Sequence, residues 1–363
     1  QHSMGIRQPI STNSMYQYLE DGIPIRPLGV FNHNSLNEMN MNGADGVEVV
    51  KGAASSLYGS NAVGGAVNFL TAAPSKTPWA MIGARYDPTA EFRRYDTGFS
   101  DTWGDLGVRF SHYSSLRGSE SWQSYSGGTK DSFSLRGDYA LGDSSRLRAT
   151  VVHTDLDTET PGSLFENDYY ANPGKSINTF SYRKDKATRA NLAWEGETFA
   201  DGITTATLFM RKNDHGQLPN YTIRTCIPNT ATCRVGTLNN NHVESLGMDL
   251  KHEQEFDWLR SRLVAGLYYD KSENPYVSDN IDIVRDAVTG VYLSYTPSAL
   301  QNGRRDYTTD IDNTALFAQW EFSPLEALRV VAGGRRDAIE YDFNNHLAPA
   351  GSANYGAANE RRS

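Results

Sequence analysis

From about Trp79 onward the chain repeats one pattern, in which apolar and polar residues alternate with period two. Phe133, Leu135, Tyr139 and Leu141 alternate with Ser134, Arg136 and Asp138; Ala190, Leu192 and Trp194 with Arg189, Asn191 and Glu195; Leu246, Met248 and Leu250 with Gly247, Asp249 and Lys251. A weaker version runs through Leu316, Ala318, Trp320 and Phe322. Period two marks a strand with one apolar face and one wet face. Eleven such strands are predicted, at 79–86, 92–100, 105–115, 131–141, 145–158, 186–196, 203–213, 242–255, 260–271, 309–322 and 328–343.

Their connections alternate in length. Short turns fall near Gly104, Gly142, Gly202, Asp257 and Pro324, and long polar loops at 116–130, 159–185, 214–241, 272–308 and 344–363. Short turns at one end and long loops at the other describe a transmembrane antiparallel β-barrel. A soluble β-sandwich or propeller also alternates. Here, however, the polar face is rich in Arg, Asp and Asn, as a wet interior requires. Trp79, Tyr113, Tyr139, Trp194, Tyr269, Trp320 and Phe322 lie near strand ends, where interface aromatics belong. Phe133, Leu135, Tyr139, Leu192, Trp194, Leu246, Met248 and Leu250 are expected to face lipid, and Arg109, Arg136, Arg189 and Arg211 the lumen.

No stretch approaches the ~18 uninterrupted apolar residues of a membrane helix, and mean hydropathy is −0.56. A net charge of −9 argues against a nucleic-acid partner held through phosphates. Eleven strands are odd in number and would leave open edges, which lipid does not tolerate. The sheet is therefore expected to be part of a larger barrel, and the ends Gln1 and Ser363 read as cuts through a longer protein.

Cys226 and Cys233 have neither zinc nor redox spacing and no paired His nearby. They are expected to form a disulfide that pins an exposed loop in an oxidising compartment. His112, His153 and His215 lack the i,i+2 or i,i+4 spacing of a metal set, so no metal site is expected. The eight His are scattered and suggest no nucleophile–base pair, hence no catalytic residues.

Residues 1–78 read differently, as short apolar runs separated by Gly, Pro and Asn. Two stretches stand out: Leu-Glu-Asp-Gly-Ile-Pro-Ile at 19–25, and Val-Glu-Val-Val-Lys-Gly at 47–52 followed by Leu-Tyr-Gly-Ser-Asn-Ala-Val-Gly-Gly-Ala-Val-Asn at 57–68. The second reads as a strand, a turn, a short helical segment, a Gly pair and another strand. Its glycines suit positive φ or close backbone approach. It contains neither phosphate-loop nor dinucleotide spacing.

These two stretches resemble the plug signature of TonB-dependent outer-membrane receptors, in which a plug fills a barrel of twenty-two strands. The resemblance implies a mainly β fold, with the C-terminal part of a plug at 1–78 and the N-terminal half of a transmembrane β-barrel at 79–363. It places Gly22, Glu48, Lys51, Gly52, Tyr58, Gly59, Gly64, Gly65 and Asn68 in the plug motif. It implies a bacterial outer-membrane receptor, not an enzyme, for active uptake of a scarce chelate, foremost a ferric siderophore. Cobalamin, haem, nickel chelates and glycans stay open as alternatives, and a passive porin or adhesin is the rival class. No cofactor is implied. The implied partners are the chelate, the TonB–ExbB–ExbD energy-transducing complex, the lipid bilayer and lipopolysaccharide. The family's segment for gripping TonB lies upstream of the plug and is not among these residues.

Between the plug strands, the stretch from Arg26 to Asn34 matches the family's apical loop, facing the external vestibule. Arg26 is expected to attract an anionic chelate through its planar fork. Phe31, Asn32, His33 and Asn34 are expected beside it, with Tyr16, Gln17 and Tyr18 as neighbours. The lumen arginines either pair with acids of plug and wall or serve as way-stations for anionic cargo.

Overall fold

A computed structural model describes residues 5, 15–30, 34–52, 54–226, 233–299, 304–347 and 360–362. The N-terminal part forms a four-stranded sheet from β1 (Tyr16–Glu20), β2 (Ile23–Pro24), β3 (Ala44–Lys51) and β4 (Gly65–Thr71), ordered β2-β1-β4-β3. Asp21 and Gly22 close the β1–β2 hairpin with φ of 50° and 85°, the positive values that a tight two-residue turn needs. β1 runs parallel to β4, and β3 antiparallel to it. All five residues of β1 are buried, because the strand lies inside the sheet with both faces covered. One core gathers Tyr16, Tyr18, Ile25, Met39, Val67 and Phe69. A second gathers Leu19, Ala54, Ala62 and Ala66 against Tyr58, which closes the short helix α1 (Ser55–Tyr58).

The rest of the chain builds one large antiparallel sheet. Its strands are β5 (Trp79–Asp87), β6 (Phe92–Trp103), β7 (Leu106–Arg117), β8 (Gly128–Ala140), β9 (Ser145–Glu159), β10 (Tyr182–Glu197) and β11 (Ile203–Gln217). There follow β12 (Arg224–Thr225), β13 (Cys233–Phe256), β14 (Ser261–Arg285), β15 (Tyr292–Pro297), β16 (Arg305–Leu325), β17 (Leu328–Asn345) and β18 (Glu360–Arg362). Each long strand pairs with the next along the chain, while β12 and β15 hang on β13 and β14 as side additions. The alternation is as expected: Leu135, Leu192 and Leu246 are 45%, 47% and 65% exposed on the outward face, whereas Arg136, Arg189 and Arg211 are 8%, 7% and 4% exposed on the inner one. No helix among the described residues is long and apolar enough to cross a membrane.

The strands outrun their expected limits at the long-loop end. β13 begins at Cys233 rather than 242, β14 continues to Arg285 rather than 271, and β16 begins at Arg305 rather than 309. The 159–185 loop contains a helix, α2 (Glu166–Ala171). Beyond the apolar band both faces of a strand are wet, so hydropathy stops alternating while the hydrogen-bond ladder continues. The projecting part has its own apolar core of Leu218, Ile281 and Ile283, packed against Phe180, Tyr182 and Tyr292. Cys226 and Cys233 are bonded there, with Cα atoms 5.6 Å apart.

Candidate ligand-binding site

The plug motif is a hydrogen-bond knot. Asn68 Oδ1 accepts the Gly22 N–H at 2.8 Å, and Asn68 Nδ2 donates to Glu48 Oε2 at 3.0 Å, tying the β1–β2 turn to β3 through β4. Gly64 donates its N–H to the Met15 carbonyl, and its own carbonyl accepts the Gly52 N–H. Gly52, Gly59 and Gly65 have φ of 107°, 89° and 153°, and a Cβ at Gly59 would stand 3.7 Å from the Arg335 guanidinium. Burial raises the Tyr58 hydroxyl above its ordinary pKa. Lys51 ends β3 on the exposed side.

Above the knot, the Arg26 guanidinium lies on Glu38, with Arg26 7% and Glu38 1% exposed. Asn34 is buried at φ 67°, and Phe31, Asn32 and His33 fall outside the described residues. Tyr16 and Tyr18 meet edge to face at 5.3 Å inside the plug core, away from any vestibule surface. The four lumen arginines all reach partners. Arg189 engages Glu20 and Glu38, Arg211 Asp270, Arg136 Asp138, and Arg109 the Ala73 carbonyl.

The wall above the plug carries residues most of which were expected in loops. Following the strand register, Arg117 lies opposite Gly128, then come Thr158, Arg183, Gln217, Asn239, Ser278 and Arg305. Three arginines thus share one inward row, with Arg117 and Arg183 three strand spacings or roughly 14 Å apart. Arg183 Nη2 donates to Gln217 Oε1 at 3.1 Å. The buried atoms Arg117 Nε and Nη2, Arg183 Nε and Asn213 Nδ2 have no hydrogen-bond partner among the described residues. Buried donors are nearly always satisfied, so a cluster of orphans marks where water or a ligand supplies acceptors.

One step lower on the same wall, Tyr276, Tyr307 and Phe343 form a ladder with ring centroids 5.2 and 5.0 Å apart. Arg305, Tyr307, Phe343 and Asn345 help line a cavity of about 320 Å³. His215 Nδ1 bonds Asp185, which is fully buried below Arg183. Over the rim, the 118–127 loop is fastened by Ser119 Oγ and the Gly127 N–H, both donating to Glu159 Oε2 at 2.5 and 2.8 Å. Burial, with Glu159 adding to it, pushes the Tyr125 hydroxyl up to about 12. Cationic donors, flat rings and a walled cavity together suit an anionic ligand carrying planar groups. A two-residue repeat of Asn274, Tyr276, Ser278 and Asn280, and of Arg305 and Tyr307, could have revealed these positions.

The family description for the TonB-dependent receptor plug domain matches residues 5–66, and that for the TonB-dependent receptor-like β-barrel matches residues 102–361. Among solved structures, the ferric citrate transporter FecA in unliganded form aligns at a TM-score of 0.74 and 19% identity, over 95% of this chain and 51% of that one. The ferric-catecholate import receptor Fiu from E. coli K12 aligns at 0.68 and 14%, over 99% and 59%. The pyoverdine outer membrane receptor FpvA from Pseudomonas aeruginosa PAO1, bound to pyoverdine, aligns at 0.69 and 16%, over 96% and 51%. The chain spans roughly half to three-fifths of the length of these proteins, and at such identities the likeness is one of fold.

Proposed function

The chain belongs to the TonB-dependent receptor family, and from that premise we propose that it is part of an outer-membrane receptor that takes up an anionic ferric siderophore. One observation carries the reading: the orphaned guanidinium donors of Arg117 and Arg183 stand over the plug, on the wall that also bears the Tyr276–Tyr307–Phe343 ladder. Guanidinium forks bind carboxylates and catecholates in pairs, and flat rings stack on their aromatic arms.

The proposal includes energisation by the TonB–ExbB–ExbD complex acting on the plug from the periplasm. It includes lipid, and lipopolysaccharide in the outer leaflet, against the outward band of Leu135, Leu192 and Leu246. Arg26, paired with Glu38, is assigned a supporting place in the plug. The work is binding and transport, with no covalent step.

The test uses the full-length receptor in the outer membrane of cells lacking other iron receptors. Radio-iron is offered as its citrate, catecholate and pyoverdine chelates, with and without a proton-motive-force uncoupler. Saturable binding of at least one chelate, with uncoupler-sensitive uptake, is expected. Binding of none, or uptake that continues without TonB, overturns the reading.

A further inference from the structure

The plug is held differently along two stretches of the wall that this chain supplies. Toward β8–β11 the wall grips it with charge. Arg189 takes Glu20 and Glu38, and Lys130 Nζ donates to the Met39 carbonyl at 2.9 Å. Arg211 Nη1 donates to the Pro24 carbonyl at 2.7 Å, and Arg136 Nη1 to the Thr71 carbonyl at 2.6 Å. Toward β13–β17 the described residues show two long bonds between plug and wall. Ser56 Oγ reaches Gln319 Oε1, and Arg335 Nη1 reaches the Leu57 carbonyl, each at 3.3 Å. Apolar, undirected packing adds to these, with Ile23 and Leu57 in one cluster with Tyr268 and Phe317.

This weaker side also holds a seam. A cavity of about 40 Å³ lies between Tyr58 and Gly59 of the plug and Asp270, Asn313 and Arg335 of the wall. Asp270 and Asn313 face each other across the β14–β16 register and are 3% and 6% exposed. The Oδ1 atom of each is buried without a hydrogen-bond partner among the described residues. Two adjacent orphan acceptors in a water-sized gap are set to receive donors.

We propose that the plug stays anchored to the β8–β11 wall and parts from β13–β17, so that cargo descends along this seam. Breaking a buried ion pair strands a charge, whereas releasing two long contacts, neither of them an ion pair, and an apolar face strands less. Under a pull the second side yields first. The Asp270 and Asn313 oxygens then accept from hydroxyl or amide groups of the cargo, or from its water. The proposal rests on the transport reading and adds the side on which the passage opens.

Two matched cysteine pairs in the full-length receptor test it. A Cβ at Gly333 would lie 3.0 Å from Ser56 Cβ across the seam, and a Cβ at Gly43 would lie 3.0 Å from Ser134 Cβ on the anchored side. Both are within about an ångström of disulfide spacing. Uptake of radio-iron as its citrate, catecholate and pyoverdine chelates is measured oxidised and reduced, with surface binding and receptor abundance in parallel. Oxidised Ser56→Cys/Gly333→Cys is expected to lose uptake tenfold or more, keep binding, and recover on reduction. Oxidised Gly43→Cys/Ser134→Cys is expected to stay within twofold of the parent. An anchored-side bridge that blocks equally, or a seam bridge that blocks nothing, overturns the proposal. A parent that binds and takes up none of the chelates overturns the transport reading instead, and this one with it.

Discussion

The Arg189 guanidinium on β10 stands 2.9 Å from Glu20 Oε2 of the plug, and each side chain is only 8% exposed. The same guanidinium reaches Glu38, whose other oxygen holds Arg26. Removing one partner of such a pair leaves uncompensated buried charge and costs about 3–5 kcal/mol. Arg189→Ala is therefore expected to loosen the plug while the barrel stays folded, measured as faster amide exchange across 16–39 in the full-length receptor. Pairing it with Glu20→Gln should restore much of the protection, because Glu38 keeps Arg26 as its partner. Unchanged exchange in the single variant would show that the pair does not anchor the plug.

Arg183 carries the ligand prediction. Losing a charge-assisted contact is worth about 1.5–3 kcal/mol, or roughly ten- to a hundred-fold in affinity. Arg183→Ala should weaken binding of an anionic ferric chelate by that factor, and Arg183→Lys should recover part of it, because ammonium lacks the planar fork. Arg26→Ala is the comparison. A larger loss there, with the plug intact by exchange, would place the anion on the plug apex instead of the wall.

Tyr307 separates ligand classes. It touches both Tyr276 and Phe343, so Tyr307→Ala opens the middle of the ladder. Aromatic contacts are worth about 0.5–1.5 kcal/mol beyond their area. Affinity for a catecholate chelate should fall roughly two- to tenfold, with that for ferric citrate little changed. Equal losses for both would mean that the ladder shapes the wall without stacking on cargo.

How much of this was legible depended on where water lies. Within the apolar band Leu192 and Arg189 belong to opposite faces, and period two separated them correctly. Above the band, Lys184 faces outward and Arg183 inward, and both are polar, so the strand passed for loop. Tyr307 was hidden for the same reason, between Asp306 and Thr308. The plug motif was readable as a whole because its glycines and Asn68 serve one backbone knot with few alternatives. Tyr16 and Tyr18 misled as neighbours of the apical loop: in a strand covered on both faces, sequence proximity to a loop says nothing about exposure.

The Cys226–Cys233 bond closes a short loop, which the chain-entropy view values at about 2.5 kcal/mol. Replacing both with Ser should raise amide exchange in 218–226 and 233–238 and leave the membrane band unchanged. The apolar core of Leu218, Ile281 and Ile283 should keep the lobe itself assembled. Collapse of protection through the whole β13–β14 projection would show instead that the bond, not the core, holds the lobe.

Asn68 offers the sharpest separation of folding from binding. Its amide satisfies the Gly22 N–H on one side and Glu48 on the other, and the residue is 7% exposed. Asn68→Ala leaves the Gly22 N–H unmatched inside the plug, at about 1–3 kcal/mol, while the exposed Glu48 carboxylate turns to water. Asn68→Asp keeps the acceptor for Gly22 but sets a second carboxylate against Glu48, so it should rescue little. Both variants are expected to speed exchange across 16–25 and 44–71 and to reduce uptake. Binding at the outer vestibule should change less than twofold, because Arg183 and Tyr307 are carried by the barrel wall. A selective loss of chelate affinity in Asn68→Ala, with plug exchange unaltered, would mean that the knot reports to the ligand site rather than merely holding the plug together.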